Sequence, residues 1–380
     1  PVVLRLANFR MVGSQWRRYT GSLEGGAGSE DLENDPNNLT ISVVNIEENS
    51  QGNASQPPYV LPPGFERDRD NTSSIERSLN EQSLQLCVEN LEDNDARGAY
   101  KDLSLDLINY GRLKMFLHAN SPNLLEDGDI SAFLRLGRDD DNYYEIEIPL
   151  RTTSASASLR TDIWPAQNEI DIAFDELFQL KKDRIESGAS SQVIYPRNTG
   201  KEVGHHLIKV LGNPVINDLS RMMIGVRNVK SDDKSPITAC IWANELRVTD
   251  FDSQAGWATN ATFNAQLADL GSITASTRYT SVGFGSIQSK ISERTREETT
   301  AYDVAANINL DKFLPEKAGL RIPVYASYEK TNIKPKWDPS SPDLTVAESL
   351  VLIEDNEERN DYELQVQDNS VRRSINFSNV

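Results

Sequence analysis

Cysteine, histidine and methionine are scarce in this 380-residue chain, at two, three and four residues, and no apolar run reaches eighteen residues. Cys87 and Cys240 stand alone and only His205 and His206 adjoin. That excludes a zinc site of four Cys/His ligands in the usual paired spacings. Without a long apolar run there is no transmembrane helix, whereas a β-barrel would not show in overall hydropathy. Positive charge is also in deficit, 39 basic against 58 acidic residues for a net −19. This argues against nucleic acid and anionic membrane surfaces as partners, because both need clustered Lys and Arg. The two isolated cysteines are expected to be small buried apolar residues, and whether they meet stays open. The chain starts at Pro1 without initiator methionine or signal-like segment and ends on the strand-like Ser374-Ile375-Asn376-Phe377. It is expected to be an internal piece of a longer protein, so the absent signal peptide says nothing about compartment.

The length suffices for two or three domains. Residues 1 to 20 read as strands, and a polar loop runs from there to Asn38. Leu39 to Glu47 alternates as a strand, and Asn49 to about Asn80 is expected to be a long surface loop rich in Pro, Asn and Ser. Short strands then follow at Ser83 to Glu89, Leu103 to Ile108, Arg112 to His118, Ile130 to Leu136, Tyr143 to Leu150, Glu169 to Phe174, His206 to Val210, Arg221 to Val226 and Ala239 to Leu246. Turn-forming residues such as Asp93-Asn94-Asp95 separate them, and one helix is expected at Phe174 to Asp183. The pattern predicts an all-β fold with a jelly-roll-like β-sandwich over residues 1–250.

After Phe251 the pattern changes. Between Trp257 and Leu267, Thr259, Ala261, Phe263 and Ala265 share one face, and Asn260, Thr262, Asn264 and Gln266 the other. The same alternation recurs from Ile273 to Tyr279, from Ala301 to Leu310 and from Leu320 to Glu329. Strands of about ten residues, apolar on one side, with uncharged polar groups opposite and aromatics near the ends, suit a transmembrane β-barrel, although a soluble sheet with one wet face alternates likewise. Residues 251–330 are therefore expected to be antiparallel strands of an incomplete barrel, since about eight strands are needed for closure. Residues 331–370 are expected to form a long outer loop with a short helix near Leu344 to Asn356, and 371–380 to begin the next strand.

Candidate chemistry is sparse. The Asp clusters at 93–95, 126–129 and 139–141 offer oxygen ligands for calcium, but none has EF-hand spacing, and solvated turns are the expected role. Glu145 and Glu147 share a strand face, as paired carboxylates of a glycosidase could, or as an ordinary wet face would. Gly283-Phe284-Gly285-Ser286 lacks the lysine and helix of a phosphate loop, and His205-His206 has no nucleophile motif nearby. Trp16, Tyr19, Tyr143, Tyr144 and Trp164 could stack on sugars but are expected mostly to pack in the core. No catalytic, cofactor-binding or metal-ligating residue is assigned.

The run Ile241-Trp242-Ala243-Asn244-Glu245-Leu246-Arg247-Val248-Thr249-Asp250-Phe251-Asp252 is followed by Gly256-Trp257-Ala258, Gly283-Phe284-Gly285-Ser286 and Lys312-Phe313-Leu314-Pro315-Glu316-Lys317. Together with Gln15 to Tyr19, Ile41 to Asn49, Tyr59-Val60-Leu61-Pro62-Pro63-Gly64, Asn142 to Glu145 and Met223 to Asn228, it resembles the SprA/Sov family. These are outer-membrane translocons of the Bacteroidetes type 9 secretion system, also linked to gliding motility. The resemblance covers nearly the whole chain. It implies a very large single-chain barrel that exports folded cargo proteins bearing C-terminal sorting domains, with PorV and a plug protein at its exits. It also implies a conduit that is not an enzyme and needs no cofactor, and it assigns no contact to a residue here.

Outer-membrane barrels pair short periplasmic turns with long external loops. The short connection Ala268 to Gly271 against the long Val282 to Thr300 and Thr331 to Ser370 predicts that Trp257 to Leu267 runs toward the periplasm. Residues 1–250 are then expected to be an extracellular, cap-like insertion. The alternatives are a secreted glycan-binding sandwich and a calcium-dependent adhesin.

Overall fold

The computed structural model describes residues 16–20, 23, 39–70, 77–197, 202–229, 235–252, 255–289, 293–315 and 319–377. The chain is all-β with few helices and divides into two compact units, Pro1–Phe251 and Asp252–Val380.

In the first unit the strands are β1 (Arg17–Arg18), β2 (Leu39–Asn45), β3 (Arg69–Asp70), β4 (Arg77–Ser78), β5 (Gln82–Leu91), β6 (Ala96–Leu105) and β7 (Tyr110–Asn120). They continue with β8 (Ile130–Asp139), β9 (Asn142–Pro149), β10 (Ile170–Ala173), β11 (Tyr195–Arg197), β12 (Leu207–Leu211), β13 (Leu219–Asn228) and β14 (Ile237–Phe251). One antiparallel sheet has the order β1-β6-β13-β8-β9-β12-β11 and the other β10-β7-β14-β5-β2. Their inward rows are aliphatic: Leu134, Ile146, Ile148 and Val226 on one, Leu86, Val88, Leu117 and Ile241 on the other, all fully buried or nearly so. Side chains alternate across a strand, so burying one row leaves the next row facing away from this core. Two short helices accompany the sheets, α1 (Arg160–Ile163) and α2 (Phe174–Glu186). α2 buries Phe174, Leu177 and Leu180 and ties down the loop after β12, with Lys181 donating to the Pro214 carbonyl and Arg184 to that of Gly212.

The second unit is a meander of five antiparallel strands in sequence order: β15 (Ala258–Leu267), β16 (Gly271–Thr280), β17 (Glu297–Asn309), β18 (Pro323–Pro335) and β19 (Asp368–Phe377). Among the described residues the outer edges of β15 and β19 are unpaired, so the sheet is open and no barrel closes. Its long connection between β18 and β19 carries α3 (Val346–Leu352) and α4 (Asn356–Val366). Thr345 and Glu348 form a capping box at α3, and the buried Asp338 carboxylate accepts from Ser340 and from the Tyr362 hydroxyl of α4. Those hydrogen bonds outweigh the burial of Asp338 and hold its carboxyl below the usual range.

Several expectations need correction. The strand placed at Leu103 to Ile108 is β6, starting at Ala96; the row it shares with inward Ile224 and Val226 holds Arg97, Ala99 and Lys101, which carry no apolar or β-branched signal. β18 starts at Pro323 and runs to Pro335, and β19 starts at Asp368, so the outer loop is shorter than 331–370 and the next strand begins before 371. The helix placed at Leu344 to Asn356 is two helices broken at Ile353. Residues 49–80 are not simply a surface loop: Tyr59 and Leu61 are buried, and β3 and β4 pair within the stretch. Of the strands placed in residues 1–20, only β1 lies in the described residues, and the loop to Asn38 is almost wholly outside them. Cys87 and Cys240 face each other across β5 and β14 and are joined by a disulfide. Both are half-exposed on the outward face, so the expectation of buried apolar cysteines was wrong.

Candidate functional site

Three features gather the residues of interest. The first is the outward face of the β5–β14–β7 sheet, where Ser42, Gln85, Trp242 and His118 form one cross-strand row. The segment from Ile46 to Phe65 straps over this face. Tyr59 packs against Trp164 and Trp242 with ring centroids 6.3 and 5.6 Å apart, and Trp164 Nε1 donates to the Val60 carbonyl at 2.8 Å. Asn244 Nδ2 donates to Glu81 at 2.6 Å and to the Tyr59 hydroxyl at 3.1 Å. The next residue, Glu245, takes a positive φ of 50° where the β14–β7 register shifts, a bulge that re-aims the strand. Arg247 then reaches Glu169 at 3.0 Å and lies over the Phe116 ring. The Trp242-to-Arg247 run and the Tyr59-to-Gly64 run thus hold each other, which is a structural use for both motifs.

His118 is fully buried here, stacked 3.9 Å from Trp242, with Nδ1 donating to the Ile163 carbonyl at 2.7 Å. Burial drives its pKa down from 6.5 to about 4, against the hydrogen bonds to Ile163 and Asn120. The unfolded chain therefore binds this proton between pH 6.5 and 4 while the folded chain does not. Stability is full above pH 6.5 and falls as the pH drops through that window, by about 3 kcal/mol in all. Urea denaturation of His118→Phe and the parent should show the difference in slope between pH 6.5 and 4; equal slopes would show that His118 does not titrate on unfolding.

The second feature is a charged row on the outward face of the other sheet. Glu145 is 0% exposed, yet it accepts from Arg135 at 2.5 Å and Lys209 at 2.8 Å and lies 3.3 Å from Arg227. Glu147, also buried, accepts from Lys209 at 2.7 Å and from Ser131 at 2.5 Å. Burial alone would raise the Glu145 pKa, but the three cations outweigh it and hold the carboxyl well below the usual range. The reading of these two acids as a wet face is therefore wrong. As a carboxylate locked between cations, Glu145 is also poorly suited to donate a proton in glycoside hydrolysis.

The remaining candidates are placed as follows. Asp139 accepts from the Asp141 amide and Asn142, Asp140 pairs with Arg221 at 3.0 Å, Asp129 caps the Glu126 amide, and Asp95 pairs with Arg97. No group of three or more His, Cys, Asp or Glu suited to a metal occurs among the described residues. His205 pairs with Glu202 at 3.4 Å and His206 Nε2 accepts from the Asp171 amide, so the neighbours serve different contacts. Tyr143, Tyr144 and Trp164 are buried, and Tyr19 packs edge-on against Tyr100. Gly283-Phe284 lies against Gly256, where a Cβ would meet the Phe284 amide nitrogen at 1.9 Å. Gly256 and Gly283 thus meet in one packed corner, where the chain enters β15 beside the β16–β17 connection.

The third feature is the β15–β19 sheet itself. Register places Leu267, Gly271, Ile308, Val324 and Phe377 in one row, and Ala265, Ile273, Ala306, Ala326 and Ile375 in the next. A third row holds Phe263, Ala275, Val304, Tyr328 and Arg373. This apolar face is uncovered: Phe263 and Phe377 are each 62% exposed and Ile375 67%. Tyr279 and Tyr302 stand toward the end with the long connections, beside Trp257, whose ring is 4.6 Å from that of Tyr279. The opposite face carries Asn260, Asn264, Ser272, Asn307, Ser327 and Ser374. It is not charge-free as expected, since Arg278, Asp303, Glu329 and Arg372 also lie on it, the last two 3.5 Å apart. Sequence reasoning found both faces by alternation but missed the buried ion network, for which no local signal exists.

These features define an all-β protein of two units, the second an antiparallel sheet with one apolar and one polar face. The chain belongs to the SprA_N family, described as motility related/secretion protein, which matches residues 1–350. That match spans the whole first unit and the second as far as α3. No curated protein sequence matches the chain.

Proposed function

We propose that the second unit is part of the wall of an outer-membrane β-barrel through which folded proteins are exported. The observation that carries this reading is the exposed apolar face of β15–β19 backed by a polar face. Strands of 10 to 13 residues match the roughly 9–11 residues that a tilted strand needs to cross a bilayer. An open sheet with unpaired edges would pair with further strands of the barrel. The polar face, rich in amides and hydroxyls, suits a water-filled lumen. Family membership in motility-related secretion supports transport as the role.

The first unit reads as a jelly roll. Its order β10-β7-β14-β5 against β6-β13-β8-β9 is that of two interleaved Greek keys. Its disulfide favours an oxidising, extracytoplasmic setting. The connections at the β15–β16 and β17–β18 end, Ala268 to Leu270 and Leu310 to Ile322, are shorter than those at the other end. By the barrel rule they face the periplasm, and the chain preceding β15 lies outside. On this reading the protein is a conduit without chemistry of its own, and cargo with sorting domains, PorV and a plug protein are the partners that the family resemblance suggests.

The test places single cysteines at Asp140 and at Asp269 in the whole protein, in its own cells, and uses a membrane-impermeant maleimide; the bridged native pair does not react. Asp140→Cys should label in intact cells and Asp269→Cys only after the outer membrane is opened. Equal labelling, with release of the protein by a salt wash, would instead favour a secreted glycan-binding sandwich.

A further inference from the structure

Two cations stand on the face that the proposed reading turns to lipid. Lys330 lies in register between Tyr302 of β17 and Val371 of β19, and Arg373 lies opposite Tyr328. They are therefore diagonal neighbours on adjacent strands, close enough to address one small anion. Both are exposed, and among the described residues no carboxylate pairs with either. The Arg373 guanidinium lies over the Tyr328 ring, 5.5 Å from its centroid. Arg372, one residue away on the opposite face, is matched by Glu329.

Their position along the strands is informative. Toward the short connections this face carries no charge: Ala326 and Val324 on β18, Ile375 and Phe377 on β19, and Ala306 and Ile308 on β17. Toward the long connections it turns polar, with Thr300, Asn332 and Asn369 in one row and Glu298 opposite Lys334 in the next. Lys330 and Arg373 mark that boundary together with Tyr302 and Tyr328. An unpaired cation is costly in hydrocarbon and favourable beside anionic headgroups, and its aliphatic stem can reach from one to the other.

We propose that Lys330 and Arg373, flanked by Tyr302 and Tyr328, form a binding site for the phosphate of a membrane lipid on the outer rim of the barrel wall. The site rests on the barrel reading. Lysine supplies a mobile ammonium and arginine a planar fork, a pairing suited to the oxygens of a phosphomonoester.

The experiment uses the whole protein in nanodiscs of phosphatidylcholine with added phosphatidic acid, and native mass spectrometry to count the phosphatidic acid retained. Lys330→Gln with Arg373→Gln should lower retention about 25-fold, from roughly fivefold for each cation near a lipid surface. Arg372→Gln should retain as much as the parent. If the double variant retains lipid undiminished, or Arg372→Gln loses as much, the site is wrong while the barrel reading stands, because the protein is still in the disc. Displacement of the lipid by equimolar glycerol phosphate would assign the cations to a soluble phosphate and overturn the lipid site. A parent protein that stays in the aqueous phase overturns both.

Discussion

Ala306→Arg should sharply reduce the amount of protein that survives a urea wash in the membrane fraction, whereas Ala305→Arg should leave it near the parent level. The two residues are neighbours on β17 and differ in the face they occupy. Ala306 sits in the row Ala265, Ile273, Ala306, Ala326, Ile375, which holds no polar side chain, and Ala305 in the row Asn264, Thr274, Ala305, Ser327, Ser374. Arginine on the lipid face of a barrel costs about 2–4 kcal/mol near the midplane, while lumen positions bear it readily. A soluble sheet with the same apolar face packed on a partner would also reject arginine at 306. The urea-washed membrane fraction separates the two, because a soluble protein is absent from it in every variant. Equal membrane levels for both variants would remove the main support for the lipid-facing assignment.

Glu145→Ala should destabilise the first unit by about 3–5 kcal/mol in urea denaturation, since it leaves Arg135, Lys209 and Arg227 with less compensation in a buried row. Lys209 and Arg227 would still reach Glu147, which tempers the loss without removing it. The sign with pH follows from the lowered Glu145 pKa. Its stabilisation is present above the ordinary carboxylate range and is lost as acid protonates it toward its depressed folded value. That window opens near 4.5, the ordinary glutamate value, close to the lower end of the His118 window at about 4, so most of the His118 loss comes first along one acid titration and the Glu145 loss continues below it. A cost under about 1 kcal/mol would mean that the row behaves as exposed ion pairs do.

Alternation of period two was enough to place most strands, because the signal is local: each residue's face depends on its neighbours along the strand and on nothing distant. That is why the apolar and polar faces of β15–β17 were legible, and why the same logic mistook Glu145 and Glu147 for solvent-facing residues. They do point away from the aliphatic core, as the alternation says. What the sequence could not show is that the outward side is itself covered, and that Lys209 and Arg227, brought beside them by β12 and β13, replace water. β6 was misplaced for a related reason: Arg97, Ala99 and Lys101 share its inward row, and such a row carries no apolar alternation.

By itself the sequence determined the all-β class, the change of pattern near Phe251 and the two faces of the second unit, since these follow from composition and nearest-neighbour alternation. Only the tertiary structure decided which distant residues meet. Cys87 bridges Cys240, Tyr59 straps onto Trp242 and Asn244, and Lys330 joins Arg373 on one uncovered face. Each of these pairings depends on strand order and register, which arise when the chain closes long loops to bury its apolar rows, and no local segment encodes that choice.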